Sequence, residues 1–241
     1  MDAKRGYVPE DDRNFSPDSI KTMRVASRHI AYLINEGYDL KQASTFVGNH
    51  FLLSERQRLA IMRSLATFEQ LAVRRQKLVP LSELSGCEVR IDGFNTIISL
   101  EVLLSRSILF SGMDGTVRDL AALRGTYRII PETEPAIRLM FDVLAEASVG
   151  KVSIALDEPV SNSGRLKALI AEVGENYSFD LDIRIQRDVD RELYGKKHVI
   201  TSDSIILDHC VSWVNLLSAC VARTGADVLK VWDDSVISKY T

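Results

Sequence analysis

Three aspartates each close a run of strand-forming residues. Asp92 follows Glu88-Val89-Arg90-Ile91, Asp157 follows Lys151 to Leu156, and Asp203 follows Val199 to Ser202. If those runs are parallel strands, the three carboxylates converge on one sheet edge. Carboxylates held that close repel and raise one another's pKa unless a cation lies between them. An all-oxygen donor set suits a hard ion, Mg2+ or Mn2+. Asp188 and Asp190, just after the run Leu181 to Ile185, and Asp208, about a helical turn beyond Asp203, are further candidate metal ligands. Asn95 and Ser202 are small polar neighbours suited to fixing a carboxylate from behind. Any one of these aspartates could equally cap a helix or make a turn. Their repetition at successive strand ends points to chemistry.

The segment Asp157-Glu158-Pro159-Val160-Ser161-Asn162-Ser163-Gly164-Arg165 is rich in turn residues. It places Ser161, Ser163 and Arg165 at a helix start, where backbone donors and the helix dipole favour a substrate phosphate. Capping alone would also explain Ser163. A second polar stretch holds Arg118 and Arg124, expected on a loop over the cleft and able to contact phosphate; an Arg118 to Asp114 ion pair is equally compatible. The four histidines show no metal-ligand spacing, and Asp208-His209-Cys210 is too local for a nucleophile triad, because adjacent helical residues face different ways. Without a GxxxxGK[ST] motif, a P-loop NTPase is disfavoured.

The elements that must position these groups are legible. Ser16 with Pro17 opens a helix that runs to Gly37, Asp39 caps a shorter one ending near Gly48-Asn49, and Ser54-Glu55-Arg56-Gln57 has capping-box form and opens a long helix carrying Leu59, Met62, Leu65, Ala66 and Leu71. Beyond Pro80 the period changes. A strand at 88–91, helices at 95–104 and 134–147, a strand at 151–156, a helix at 164–173, strands at 181–185 and 199–202, a helix at 205–222 and a closing strand at 228–231 alternate. Such alternation predicts an α/β fold with a mainly parallel sheet and helices on both faces, its ligands at the carboxyl ends of the strands. The expected organisation is a loose arm at 1–15, a small basic helical domain at 16–79 and an α/β domain at 85–241.

Composition sets the frame. Residues 19–78 hold ten Lys/Arg against four Asp/Glu, whereas residues 81–241 hold seventeen against twenty-four. The first bias suggests a helical face that tracks nucleic-acid phosphates; a solvated, cation-terminated helix surface would look the same. Three cysteines without a CxxC pair predict buried thiols rather than a disulfide framework or zinc ribbon. No apolar run approaches the roughly 20 residues of a membrane helix, and the polar start is unlike a signal peptide, so a cytoplasmic protein with no membrane partner is expected.

Asp92-Gly93-Phe94-Asn95, Asp157 and Thr201-Ser202-Asp203 resemble the ordered acidic motifs of PIN-like nucleases, especially the NYN branch with its Asp-Gly-Tyr/Phe-Asn opening. The resemblance covers roughly residues 85 to 235. It implies a three-layer α/β/α fold and metal-dependent cleavage of RNA phosphodiester bonds, with Asp92 and Asp203 at the first and late acidic positions, Asn95 and Ser202 beside them, and Asp157, Asp188 and Asp190 competing for the middle one. RNA, structured RNA included, would be the partner, and self-association is left open. Taken whole, the chain also resembles a prokaryotic, largely archaeal two-domain family of the domain-of-unknown-function-434 type, through Val47-Gly48-Asn49, Leu59 and Ser161 to Arg165. Two rival functions remain: a catalytically inactive RNA-binding or assembly protein on the same fold, and a phosphatase or phosphotransferase, demoted because position 94 is Phe where a haloacid-dehalogenase-like enzyme needs a second Asp.

Overall fold

The computed structural model describes residues 4–121 and 125–238. Five helices lead: α1 (Asp11–Asn14), α2 (Pro17–Asn35), α3 (Leu40–His50), α4 (Glu55–Ser64) and α5 (Phe68–Lys77). Then come β1 (Glu88–Asp92), α6 (Gly93–Leu104), the short pair β2 (Phe110–Ser111) and β3 (Val117–Arg118), α7 (Thr133–Glu146), β4 (Lys151–Asp157) and α8 (Ser163–Gly174). The chain continues through β5 (Asp180–Gln186), α9 (Val189–Leu193), β6 (Val199–Ile200), α10 (Ser204–His209), α11 (Leu216–Thr224) and α12 (Ser235–Ser238). The expected class holds: N-terminal helices precede a parallel sheet flanked by helices.

Two compact units form. One takes Met1–Arg5, Gln76–Ser107 and Ala121–Ala226; the other takes Gly6–Arg75, Ile108–Leu120 and Asp227–Thr241. The helical unit is therefore not one stretch. Its core joins Met23, Ile30, Ala60 and Ile61 of the helices to Phe110, Val231 and Trp232 of the two later segments. The run 228–231 does not close the sheet as expected. Leu229 bridges Phe110 instead, and the Trp232 indole donates to the Ser111 carbonyl at 2.7 Å. Nor are residues 6–15 a loose arm, since α1 buries Asp11 against Arg56.

Local chemistry explains two helix breaks that periodicity missed. Leu65 turns extended, and Thr67 and Gln70 then exchange side-chain and backbone bonds at 3.2 and 3.0 Å, a second capping box that starts α5. The expected 205–222 helix is split because fully buried Trp213 anchors an extended segment, whose neighbours Ser212 and Val214 bond Val199.

In the sheet unit all four strands are parallel in the order β5-β4-β1-β6. From β1 the chain adds β4 and β5 on one side and then returns to place β6 on the other. Ligand crevices form at such a reversal, outside the strand carboxyl ends. Val89, Ile91, Val152, Ile154 and Leu156 are buried, and the start of α6 packs on the side chains of Ile154 and Leu156. That packing explains Gly93. Its backbone is not left-handed; a Cβ there would lie 2.6 Å from the Leu156 Cδ2 and 2.7 Å from the Ala155 oxygen. Gly93→Ala is expected to lower unfolding stability in urea by about 1–3 kcal/mol, as overpacking does; an unchanged midpoint would show that α6 can back away.

The opposite face carries short α9 and α10 over Ala155, Val199 and Trp213. Elsewhere that face is polar, with Glu88, Arg90, Ser153, Asp182 and Arg184 half-buried or exposed. Parallel sheets usually bury both faces.

Candidate active site

Asp92 is the last residue of β1 and only 6% exposed. The Thr201 hydroxyl donates to its Oδ2 at 2.9 Å, and the Asp203 backbone N–H donates to the Thr201 oxygen at 3.0 Å. Thr201 thus links the two acids that the sequence singled out. Asn95, on the first turn of α6, accepts from the Ser202 backbone at 2.8 Å and from its hydroxyl at 3.0 Å. The expected supporting roles of Asn95 and Ser202 take this form: they fasten the β6–α10 loop to α6. Asp203 caps α10, its Oδ1 accepting from Ile205 and Ile206 N–H at 2.7 and 3.3 Å, which leaves Oδ2 outside that cap.

Burial pushes the Asp92 carboxyl up to about 7; the Thr201 bond opposes that rise, and the charges of Asp203, Asp157 and Asp190 add to it. Asp157 is also raised, by burial and by Asp190, against a bond from Val189 N–H. Asp190 is raised by burial, then by Asp203 and Asp188. Four carboxylates from three strand ends and α9 are therefore electrostatic neighbours, and the strongest charges acting on Asp92 share its sign. Such a donor set fits Mg2+ or Mn2+ by hardness and charge. Among the described residues, no three of His, Cys, Asp and Glu are gathered into a group that could hold an ion. The carboxylates are neighbours, not a formed ligand shell.

The other candidates separate. Asp188 caps α9 and pairs with Arg191 at 3.2 Å, one step back from Asp92. Asp208 sits on α10, its carbonyl accepting from Lys77 at 2.7 Å, and is not among the leading charges on Asp92. Ser161 exchanges bonds with the Tyr127 backbone, and Ser163 donates to the Asp157 and Val160 carbonyls, so both hydroxyls hold the loop rather than await a phosphate. Arg165 is exposed on the first turn of α8. Arg118 is buried against Asp114 at 2.7 Å in the helical unit, where pairing within the hairpin satisfies it in place of a substrate. Arg124 lies outside the described residues.

The basic helical face also changes. Arg24 and Arg28 bond the Lys230 carbonyl and Asp233, Arg56 bonds Asp11, Arg63 bonds Asp119 and Arg74 bonds Asp114. Counted as folded, this unit holds thirteen Lys/Arg and thirteen Asp/Glu. Its net charge offers no bulk attraction to phosphate. Cys210 and Cys220 are buried thiols as expected, Cys87 is half-buried, and no helix among the described residues is long and apolar enough to cross a membrane.

Residues 22–77 match a family model described as a protein of unknown function, DUF434, and residues 81–219 match one described as a domain of unknown function, DUF5616. The uncharacterized protein MJ0935 of Methanocaldococcus jannaschii is 35% identical over 182 residues, covering 76% of this chain and 87% of that protein. No solved structure matches.

Proposed function

Starting from a chain that belongs to the DUF5616 family, with a DUF434 region ahead of it, we propose that the protein is a metal-dependent ribonuclease with a PIN-like sheet, hydrolysing RNA phosphodiester bonds at the Asp92–Asp203 edge. One observation carries this: a buried Asp92 carboxyl, raised to about 7, beside three carboxylates of its own sign at the sheet's switch point. Burying like charges together opposes folding, and such arrangements concentrate at sites that use them. Asp92, Asp203 and either Asp157 or Asp190 would hold Mg2+ or Mn2+, which would supply Lewis-acid activation of water and charge neutralisation at the phosphate.

The chain's own residues do the rest. Thr201 fixes the direction of the Asp92 carboxyl, and Asn95 with Ser202 fixes the loop that brings Asp203 to it. Without the ion, Asp92 takes up a proton near neutrality, and an ion held there would displace that proton. Arg165 offers an exposed guanidinium near the carboxyl end of β4 for the phosphate backbone.

Labelled single-stranded and structured RNAs, incubated with Mg2+ or Mn2+, are expected to be cleaved. Asp203→Asn keeps an acceptor for the α10 cap, and should slow cleavage by at least about 100-fold, the scale of losing one charge-stabilising group. Cleavage that survives both Asp203→Asn and Asp92→Asn would remove the edge as the site. Binding without cleavage in either metal would favour an inactive RNA-binding protein.

A further inference from the structure

A cavity of about 190 Å3 lies on the polar face of the sheet, under α9. Its charges are three matched pairs: Glu88 with Arg90, Asp182 with Arg184 at 2.7 Å, and Glu192 with Lys196 at 3.9 Å. Leu193 and Ala155 give it an apolar flank. One lining group is unfinished: the buried Gln186 side-chain nitrogen has no hydrogen-bond partner. A buried donor without an acceptor costs free energy, and such groups are rare in folded proteins.

The cavity abuts the acidic edge. Ala155 is the cross-strand partner of Asp92, and Gln186 that of Asp157, so cavity and carboxylates share one face of neighbouring strands. Its volume is below the roughly 300–1,000 Å3 of pockets for drug-sized ligands, which limits it to a single small group. With balanced charge it has no field to select a bare anion. It does offer donors, acceptors and the planar guanidiniums of Arg90 and Arg184, and side chains of this kind hydrogen-bond and stack unpaired bases of single-stranded RNA.

We propose that this cavity is a nucleobase subsite, seating one unstacked base of a single-stranded RNA whose phosphate lies at the carboxylates, with the Gln186 amide, its nitrogen shielded from solvent in the free protein, turning to donate to an acceptor on that base. The identity of the polymer rests on the ribonuclease reading; the cavity and its unfinished donor do not. No covalent step occurs there. Gln186 and Arg184 are specificity residues, not catalytic ones.

The test uses the full chain carrying Asp92→Asn, so that RNA stays intact. Binding of fluorescent oligo-U, oligo-C, oligo-A and oligo-G is measured in Mg2+, with and without Gln186→Leu or Arg184→Ala. Gln186→Leu should weaken the preferred homopolymer about 5- to 10-fold, the scale of one hydrogen bond, and flatten the preference among the four. Arg184→Ala should weaken all four alike. Gln186→Leu removes a buried amide nitrogen that has no partner, so its melting temperature should not fall, which keeps misfolding out of the interpretation. Unchanged affinity and preference in both variants, or no binding either by the Asp92→Asn parent or by the wild type in EDTA, would overturn the subsite. If the wild type cleaves RNA while both variants bind as the parent does, the subsite alone fails. If the wild type does not cleave but base preference depends on Gln186, the ribonuclease reading fails and the subsite stands.

Discussion

Asp92→Asn is expected to stabilise the metal-free protein at pH 8 while abolishing metal-dependent cleavage. The Asp92 carboxyl titrates near 7 in the folded chain and near its ordinary 3.8 when unfolded. Between those values the folded state binds the extra proton. Its contribution to stability is therefore greatest below about pH 4, falls as pH rises towards 7, and stays low above. The interval corresponds to about 4 kcal/mol at ~1.4 kcal/mol per pH unit, an upper bound for one site. Asp157 and Asp190 are raised as well and act in the same direction. Asparagine has no charge to bury, and its oxygen can still accept from Thr201. Urea unfolding at pH 5 and pH 8 without divalent ions should show wild type losing stability across the interval and the variant losing much less. Mn2+ should then raise the wild-type midpoint more than the variant's, because an ion that binds only the folded state stabilises by mass action. The same pH slope in both proteins would mean that Asp92 is not the buried acid described.

How much of this site was legible depended on how local its causes are. Asp92 and Asp203 could be placed because each follows its own strand and opens its own helix, and parallel topology brings strand ends together whatever lies between. Nothing local marks Thr201, yet its hydroxyl, two residues before Asp203, ties both acids. The alternation Asp180-Leu181-Asp182-Ile183-Arg184-Ile185-Gln186 is the sign of a strand with one polar face, and it ran against the expectation of helices covering both faces. The polar face that frames the cavity was thus visible as a pattern before it had a location.

Partners far apart in sequence were not legible. Residues 228–231 have the composition of a strand, but nothing local says that Leu229 pairs with Phe110 rather than with the sheet. The basic bias of the helical stretch has the same origin. A window over 19–78 sees ten cations, but not Asp114, Asp119 and Asp233, which fold back onto Arg74, Arg63 and Arg28. Charge counted along the chain becomes a statement about a surface only once those pairs are known. Under the proposed function, contacts to RNA phosphate fall mainly to the sheet unit, where Arg90, Arg184 and Arg165 keep exposed or half-exposed guanidiniums.

Those returning acids also carry the largest stability effect. Asp114→Ala is expected to cost about 3–5 kcal/mol, the range for breaking a buried ion pair from one side. Its Oδ2 accepts from Arg74 and from Arg118, each at 2.7 Å, and its Oδ1 accepts from the Thr116 hydroxyl at 2.6 Å and backbone at 3.1 Å. Arg74 is 1% exposed and Arg118 7%, so losing the carboxylate leaves two buried cations without the anion they share. Burial alone would raise the Asp114 pKa, but Arg118, Thr116 and Arg74 outweigh it and hold the carboxyl below its ordinary value. The stability this adds is present above the unfolded value near 4 and is lost as pH falls through the folded one. Asp114→Ala should therefore unfold at lower urea at pH 7 and lose most of its deficit relative to wild type in strong acid. Replacing the trio together, as Arg74→Met, Asp114→Leu and Arg118→Met, should cost less than Asp114→Ala alone, because the carboxylate and the two guanidiniums it holds are then removed together. A deficit for Asp114→Ala below about 1 kcal/mol, the scale of an exposed pair, would show that water reaches these guanidiniums and that the pairing does not hold the β2–β3 hairpin to α5.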